Sequence, residues 1–310
     1  MKSSKNIMIT CGGGGGPIFL ARHLQERHRI FLVDGSRENA APYLGFPFER
    51  VSFGNNPVFI KEMQSLINKW HIDCIVPGAD EELIPVSKLL ETNHGLMALI
   101  PSKEFIELCL DKRGLMEILA KAKISTLLSY ESLAKVKYPA LAKPNSGRGS
   151  RQVHKVKNKQ ELDGYLKLYS KKFQNVLVQP YIEGVEYTVS VIVNNKNKFI
   201  GIVPKRVIEK RGITRAAVSE RNIQIEKVCK KIIATFNPRG PFNVQLKLDK
   251  GKIYIFEINP RLSTTSVLSD KAFGNEVMLH IKYHDKDTIT HPPKFKEGVY
   301  LYRYEENIFK

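Results

Sequence analysis

Two short segments of the sequence place oxygen-bearing side chains two residues apart. Asn243 and Gln245 lie in F-N-V-Q-L, and Glu257 and Asn259 lie in F-E-I-N-P-R. Because side chains alternate across a β-strand, each pair should project from one face of its own strand. Carboxylate and carbonyl oxygens are the ligands that Mg²⁺ prefers, and the metal commonly shares them with nucleotide phosphates. A solvated polar face of a sheet is the alternative explanation.

The residues between the two segments predict a β-hairpin. Gly251, in D-K-G, is expected to take the left-handed position of a three-residue loop. If Leu248 pairs with Lys252, Asn243 faces Glu257 and Gln245 lies diagonally from it. The hairpin would then gather hard oxygen ligands at one end.

This segment, with the L-S-T-T-S-V-L-S-D-K-A-F-G that follows Arg261, resembles the ATP-grasp enzymes, most closely the synthetase halves of the carbamoyl phosphate synthase large subunit. The resemblance implies that Gln245, Glu257 and Asn259 hold one or two Mg²⁺ (or Mn²⁺) ions on ATP. It also implies that Arg261 reaches the transferring phosphate or an acyl phosphate.

A second motif, K-P-N-S-G-R-G-S-R-Q-V, begins at the end of an apolar run. Lys143 precedes a turn of small residues whose amides and positive charges could surround phosphates. The resemblance makes Lys143 a catalytic and ATP-binding lysine, and makes Ser146, Gly147, Arg148 and Gly149 part of a lid that closes over the nucleotide. An exposed basic loop is the alternative explanation.

The segment Q-P-Y-I-E-G-V-E-Y-T-V resembles the hinge at which adenine lies between two sheets. By that resemblance, backbone groups near Gln179, Tyr181 and Ile182 read the adenine edge. Glu186 would accept hydrogen bonds from the ribose hydroxyls, or would serve only as an ion-pair partner. Many relatives carry an acid where this chain has Gln179, which leaves the choice of adenine over guanine less secure.

Further basic and acidic positions remain open between two roles. The resemblance makes Lys112 a phosphate contact, and Arg206 is open between a catalytic contact with the substrate and a solvated charge. The run from Gly12 to Gly16 follows a strand, but the dinucleotide fingerprint fails because Pro17 or Ile18 occupies its third glycine position. The run either binds an anion or forms a structural turn, and Asp80-Glu81-Glu82 either binds a substrate amine or caps a helix.

Length and composition indicate a globular protein of two or three compact units. The chain has 310 residues, 42% hydrophobic and 26% charged, and four scattered cysteines that form no C-x-x-C motif. The opening residues lack the apolar stretch of a signal peptide, and no run approaches about 18 apolar residues, so we expect a cytoplasmic protein with no membrane partner. The net charge of +18 is spread along the chain, which favours a basic surface around an anion-binding cleft over nucleic acid as the ligand.

The order of apolar segments predicts the domain organisation. Strands alternate with helices up to about residue 102, which is typical of a parallel Rossmann-like sheet, and antiparallel strands follow. The predicted class is α/β with an α+β catalytic part. By the resemblance, residues 1–102 form a Rossmann-like pre-ATP-grasp domain and residues 103–310 an ATP-grasp domain, with a lid at about 123–183 and a catalytic subdomain at about 184–310.

The predicted function is an ATP-dependent ligase. It would form an acyl phosphate from a carboxylate and MgATP, and then join the acyl group to an amine with release of ADP and phosphate. The partners would be these two small molecules, and a homodimer is left open. Two alternatives are a divergent or split carbamoyl phosphate synthase half and a non-catalytic ATP-binding subunit or sensor.

Overall fold

The computed structural model describes residues 4–145, 152–170 and 173–309, which form one parallel and two antiparallel β-sheets. The strands are β1 (Asn6–Ile9), β2 (Arg29–Asp34), β3 (Phe48–Arg50), β4 (Cys74–Val76), β5 (Met97–Ala98), β6 (Ala140–Pro144), β7 (His154–Val156), β8 (Val176–Pro180), β9 (Val185–Val193), β10 (Phe199–Arg211), β11 (Ile213–Ser219), β12 (Phe242–Asp249), β13 (Lys252–Asn259) and β14 (Tyr300–Tyr302). The α-helices are α1 (Gly15–Leu24), α2 (Phe59–Trp70), α3 (Leu83–Thr92), α4 (Lys103–Leu110), α5 (Lys112–Lys121), α6 (Lys159–Tyr169), α7 (Ile223–Phe236), α8 (Ser266–Ala272) and α9 (Glu276–Tyr283). This mixture confirms the predicted class.

The first sheet is parallel, in the order β3-β2-β1-β4-β5. Its central strands are almost continuously apolar because helices cover both faces, with Leu20 of α1 on one side and Met63 of α2 on the other. The order reverses between β1 and β4, so the carboxyl ends of these two strands border the crevice where open sheets bind ligands. Apolar patterning did not predict β3, whose side chains Phe48 to Arg50 are only partly buried or exposed.

The first glycines of the run after β1 build a tight turn. The amide of Gly12 donates to the carbonyl of Val33 at 3.0 Å, and the amide of Gly13 donates to Asp34 Oδ2 at 3.0 Å. A Cβ on Gly13 would lie 2.5 Å from the Cβ of Asn39, so a larger residue does not fit there. The Asp34 carboxylate, which would bind a ribose in a dinucleotide-binding fold, therefore accepts a hydrogen bond from the glycine loop instead.

The second sheet is antiparallel, in the order β7-β6-β8, and α6 packs on it. Alternation along β6 buries Ala140 and Ala142 against Leu162 and Tyr165 of the helix. Lys143 lies near the carboxyl end of this strand. The small sheet thus carries one of the predicted nucleotide-binding residues near the end of its central strand.

The third sheet has six strands in the order β13-β12-β9-β10-β11-β14. One face packs against α4, α5 and α7, and the other against α8 and α9. Helix α7 shows why the sequence folds this way: Ile225, Cys229 and Ile232 recur at helical spacing and are fully buried. Asn222 caps its first turn by accepting from the amides of Gln224 and Ile225.

The hairpin of β12 and β13 differs from its predicted register. Asp249 pairs with Lys252, so the loop has two residues, Lys250 and Gly251, both with positive φ. A two-residue loop of this kind matches the twist of the strands better than the predicted three-residue loop. Further along, Gln245 faces Glu257 directly.

A β-bulge at Phe256 separates the two ends of this hairpin. Leu246 pairs with Ile255 and Gln245 with Glu257, which leaves Phe256 without a partner on β12. Ile255 and Ile258 both face the core, and Phe256 and Glu257 both line a cleft on the other side. The bulge brings Asn243 opposite Asn259. The oxygen-bearing side chains therefore share one end and one face of the hairpin, as predicted, although Glu257 faces Gln245 and not Asn243.

None of the helices in the described part of the chain combines the length and the apolar character that crossing a bilayer requires.

Candidate functional site

A cavity of about 350 Å³ lies between the small antiparallel sheet and the six-stranded sheet. Both sheets and the segment that joins them contribute to its walls. The lining residues are Lys112, Leu127, Leu141, Lys143, Pro144, Val153, Pro180, Tyr181, Ile182, Glu186, Lys210, Gly212, Gln245, Lys247, Phe256 and Glu257. Apolar walls with a few converging charged groups are typical of a ligand site.

Lys143 reaches into this cleft from β6 and is 5% exposed. Its Nζ donates to the backbone carbonyl of Phe256 at 2.9 Å, a group that the bulge turns toward the cleft. Burial lowers the pKa of Lys143 to about 8, since removal from water disfavours the ammonium, while Glu257 acts in the opposite direction. A buried ammonium of this kind gains from an anionic ligand.

Glu257 is the carboxylate at the centre of the charged cluster. Lys112, at the first position of α5, forms an ion pair with it at 2.8 Å. Burial by itself would raise the pKa of Glu257, but Lys112, Lys143 and Lys210 together hold it below its usual value. The carboxylate is therefore ionised and surrounded by positive charge at neutral pH.

The remaining predicted metal ligands lie beside Glu257. A second cavity of about 80 Å³ adjoins the first and is lined by both Gln245 and Glu257, and by Asn259. Asn243 lines it too, and its side-chain oxygen accepts from the hydroxyl of Thr188 at 2.8 Å. The structure therefore brings Gln245, Glu257 and Asn259 to one surface.

Gln245, Glu257 and Asn259 can bind Mg²⁺ only when a bound ligand supplies further oxygen atoms to the ion. Within residues 4–145, 152–170 and 173–309, no three His, Cys, Asp or Glu side chains meet at a metal-binding spacing. Glu257 supplies one carboxylate, and Gln245 and Asn259 supply neutral oxygens. Mg²⁺ accepts such sparse protein ligation when phosphates and water complete its octahedron.

The predicted hinge lies at one end of the larger cavity. Tyr181 and Ile182 line it, and the ammonium of Lys155 lies 3.8 Å from the centre of the Tyr181 ring. Gln179 is fully buried behind them, where its amide nitrogen donates to the carbonyl of Leu127 and its oxygen has no hydrogen-bond partner among the described residues. The Gln179 side chain does not line the cavity; it holds the segment around Leu127.

Glu186 lines the cavity in an ion pair, the alternative role that the sequence left open, with a partner that the sequence did not predict. Its carboxylate lies 2.6 Å from the ammonium of Lys210, which also lines both cavities. Lys247 borders the same wall and donates to the carbonyl of Gly184 at 3.1 Å. Lys210 thus neutralises Glu186, the carboxylate predicted to accept hydrogen bonds from the ribose.

Arg261, two residues after β13, contacts the segment that follows β4 of the parallel sheet. It lines the smaller cavity, and its Nε donates to Asp80 Oδ1 from the crevice after β4. Nearby Glu82 is buried and accepts from Thr10 and from the amides of Gly78 and Ala79. Glu82 therefore stabilises the turn that precedes α3, while Asp80 contacts Arg261.

Two groups of predicted residues stand apart from this arrangement. Arg206 is not among the residues that line either cavity; it pairs with Glu220 at 2.6 Å on the side of the sheet where its neighbour Tyr187 enters the core. The predicted catalytic role of Arg206 is therefore not supported, because strand alternation directs it away from the cleft. Ser146, Gly147, Arg148 and Gly149 lie outside the described residues.

Comparison with known proteins agrees with this geometry. Residues 109–265 match the ATP-grasp domain family. The carbamoyl phosphate synthase large chain of Thermoanaerobacter sp. (strain X514) is 26% identical over 202 residues, which cover 58% of this chain and 19% of that protein. The D-alanine–D-alanine ligase of Petrotoga mobilis is 27% identical over 183 residues, which cover 52% of this chain and 61% of the ligase.

A solved structure resembles almost the whole chain in fold. The biotin carboxylase domain dimer of the Hydrogenobacter thermophilus 2-oxoglutarate carboxylase, in complex with MgADP, ADP and bicarbonate, superposes with a TM-score of 0.73 at 16% identity. The match covers 97% of this chain and 74% of that one. Because the matched family region spans half of the sequence and includes Lys112, Lys143, Glu257 and Arg261, the chain belongs to the ATP-grasp family.

Proposed function

We propose that the protein is an ATP-dependent ligase that activates a carboxylate as an acyl phosphate, joins the acyl group to an amine, and releases ADP and phosphate. The observation that carries this proposal is the partly buried Glu257 carboxylate with the ammonium groups of Lys112, Lys143 and Lys210 around it, in a cleft between two sheets. Such a cluster suits a ligand that brings both a cation and several phosphate charges.

Different residues of the cleft contact the adenine, the ribose and the phosphates of the nucleotide. Tyr181 and Ile182 contribute backbone groups at the adenine end. Glu186 gives up its ion pair with Lys210 and accepts hydrogen bonds from the ribose hydroxyls. Lys112 and Lys143 neutralise phosphate oxygens, which releases Lys112 from Glu257. Gln245, Glu257 and Asn259 hold Mg²⁺, which supplies charge neutralisation on the phosphates when it is bound.

Arg261 and the smaller cavity serve the transfer itself. Arg261 exchanges its contact with Asp80 for the transferring phosphoryl group, and its planar guanidinium suits two oxygens at once. The carboxylate substrate lies beside it, between Asn259 and Ser263 of the same cavity. No protein nucleophile is required, because the substrate oxygen attacks the γ-phosphate directly.

The acceptor chemistry is the part for which two candidates exist. The name of the Petrotoga relative describes a ligase that joins two amino acids, which supports a carboxylate–amine reaction. The carbamoyl phosphate synthase relatives favour bicarbonate and ammonia instead, although this chain covers only 19% of the Thermoanaerobacter protein.

The test is ADP release measured by a coupled assay with MgATP and separate acceptor mixtures. We expect release that depends on a pool of amino acids, supplied as both carboxylate and amine. Release that requires bicarbonate and ammonia would favour the synthase-like reaction, and tight MgATP binding with no release in any mixture would favour a sensor. The proposal fails if the protein neither binds nor hydrolyses MgATP.

A further inference from the structure

Lys112 and Lys143 reach neighbouring residues of β13 from two separate elements. Lys143 lies on β6 of the small antiparallel sheet, and its ammonium donates to the carbonyl of Phe256 at 2.9 Å. Lys112 begins α5, and its ammonium lies 2.8 Å from a carboxylate oxygen of Glu257. In the proposed function Lys112 leaves Glu257 for a phosphate oxygen, so this ion pair does not hold α5 in place once nucleotide is bound. A different contact then has to keep the start of α5 beside β6.

Asn145, the residue after β6, forms two hydrogen bonds to the start of α5. Its side-chain oxygen accepts from the amide of Arg113 at 3.0 Å, and its side-chain nitrogen donates to Asp111 Oδ1 at 3.2 Å. Asp111 is the N-cap residue of the helix and Arg113 is its second residue, so the two bonds flank Lys112 in the sequence. An asparagine amide can accept and donate at once, which lets one side chain make both contacts.

Helix α5 depends on this contact because its own N-cap residue does not cap it. The first amides of a helix have no partner within the helix, and the side chain at the N-cap position usually accepts from one of them. The Asp111 side chain makes no such bond, whereas α4, α6, α7 and α9 are each capped by the residue at their own N-cap position. Asn145 supplies the acceptor instead, so the start of α5 is tied to the position of the small sheet.

Arg113 adds a second link between the same elements. Its Nη2 donates to the carbonyl of Val176, the first residue of β8, at 2.8 Å. Val176 lies opposite Pro144 in the pairing of β8 with β6, so both strands hold the first turn of α5. Neither Arg113 nor Asn145 is among the described residues that line the two cavities, so a nucleotide can enter without displacing these links.

We propose that Asn145 is a positioning residue that sets the separation of the Lys112 and Lys143 ammonium groups, so that both meet phosphate oxygens of one nucleotide. This inference rests on the proposed function, because it takes the larger cavity to hold the nucleotide phosphates. Asn145 contacts neither the nucleotide nor the metal and acts by fixing α5 on the small sheet. Such positioning matters because a misplacement of about 1 Å in a site of this kind can lower the rate about 10²-fold.

The test is isothermal titration of the folded protein and its variants with MgADP and, separately, with adenosine. Asn145→Ala loses both hydrogen bonds, and we expect it to bind MgADP about tenfold more weakly, the loss typical of an ordinary hydrogen bond. Its affinity for adenosine should be unchanged, because adenosine has no phosphate for the lysines to meet. The double variant Asn145→Asp/Asp111→Asn exchanges acceptor and donor at the same net charge, and it should bind MgADP within about threefold of the wild type.

The controls separate positioning from a general loss of stability. Asn222→Ala is the matched control, because Asn222 caps the start of α7 in the same way and lines neither of the two cavities. It should lower the midpoint of thermal unfolding and leave the affinity for MgADP unchanged. If Asn145→Ala does not fold, Arg113→Gln removes the bond to Val176 alone and should weaken MgADP binding by about threefold with no change for adenosine.

The outcomes distinguish this inference from the proposed function. Equal MgADP affinity of the wild type and folded Asn145→Ala would overturn it, and so would an equal loss of MgADP and adenosine affinity or an exchange variant that binds as weakly as Asn145→Ala. None of these results would contradict a ligase that releases ADP. Affinity that depends on Asn145 in a protein that never releases ADP would refute the ligase reaction alone, and a wild-type protein that does not bind MgADP would overturn both proposals.

Discussion

Lys143 and Lys205 are both buried, but they differ in their hydrogen-bond partners. Lys143 lines the cleft, and its ammonium donates to the carbonyl of Phe256 at 2.9 Å. Lys205 is fully buried and donates to Ser190 at 2.7 Å and to the carbonyl and hydroxyl of Thr265 at 3.1 and 3.3 Å, with Glu276 at 3.9 Å. In both cases burial is the main cause that lowers the pKa to about 8.

The difference between these lysines lies in where their donors point. An ammonium has three donors, and those of Lys205 are directed to groups of the protein. Lys143 donates to one carbonyl among the residues that the structure describes, and its side chain lines the cavity. A lowered pKa alone therefore does not identify a catalytic lysine, and we interpret Lys205 as a residue that fixes the loop from Ser263 to Thr265.

The largest effect is expected for the carboxylate that organises the lysines of the cleft. Glu257→Gln should reduce ADP formation to background, because it removes the only charged ligand among the proposed metal ligands and frees Lys112. Steady-state ADP release at saturating MgATP measures this. Glu117→Gln, at an exposed position of the same helix as Lys112, is the matched control, and near-normal rates in Glu257→Gln would contradict the site assignment.

Lys143 itself should have the next largest effect. Lys143→Ala should lower the rate of ADP formation by about 10²- to 10³-fold, the loss typical when one donor to a transition state is removed. The variant should fold, since removal of a buried ammonium leaves Glu257 paired with Lys112. The exposed Lys227→Ala on α7 should react at the wild-type rate, and equal rates in both variants would make Lys143 equivalent to Lys205.

Lys205 should affect stability more than chemistry. Lys205→Met leaves the buried Glu276 without its cation, which should lower the free energy of unfolding by about 3–5 kcal/mol. Denaturant titration followed by circular dichroism measures the change. The double variant Lys205→Met/Glu276→Leu should recover most of the loss, and a single variant as stable as the wild type would show that the pair contributes little.

The smallest effect is the dependence of stability on pH. Both lysines keep their protons in the folded and unfolded protein below about pH 8, and both lose them in either state above about pH 10.5. Between these values each lysine binds more protons in the unfolded chain, so its contribution to the free energy of unfolding should rise with pH. The buried thiols of Cys74, Cys109 and Cys229, whose pKa burial raises, contribute in the opposite direction, so the measurement compares two proteins. Denaturant titrations of the wild type and Lys143→Met across that range should show a difference in free energy of unfolding that shifts in favour of the wild type as the pH rises; a difference that does not change with pH would contradict the lowered pKa of Lys143.

Spacing predicted that the oxygen-bearing side chains of the hairpin meet on one face, because alternation survives along a regular strand. Gln245, Glu257 and Asn259 meet on one face, although the register was wrong, since no residue type announces the extra Phe256. Lys210 was missed for a related reason: two register shifts near Val207 and Glu209 break the alternation that could be counted along β10. The same alternation, where it does hold, directs Arg206 away from the cleft.

Contacts between distant parts of the chain could not be derived from the sequence. The ion pair of Arg261 with Asp80 joins residues 181 positions apart, and neither segment of the sequence indicates the other. The pairing of β14 with β11 is similar, because three exposed or partly exposed residues give no periodic signal. Such contacts depend on how the sheets pack, and local propensity carries no information about that.

The bulge has a consequence for how this cleft could vary between related proteins. Without Phe256, Ile255 would precede Glu257 in unbroken alternation, and the turn at Lys250 and Gly251 would be unchanged. A lineage could therefore gain or lose one aromatic wall of the nucleotide cleft, together with the carbonyl that restrains Lys143, by a single insertion or deletion. The width of the cleft is in this sense adjustable independently of the side chains that are proposed to hold the metal.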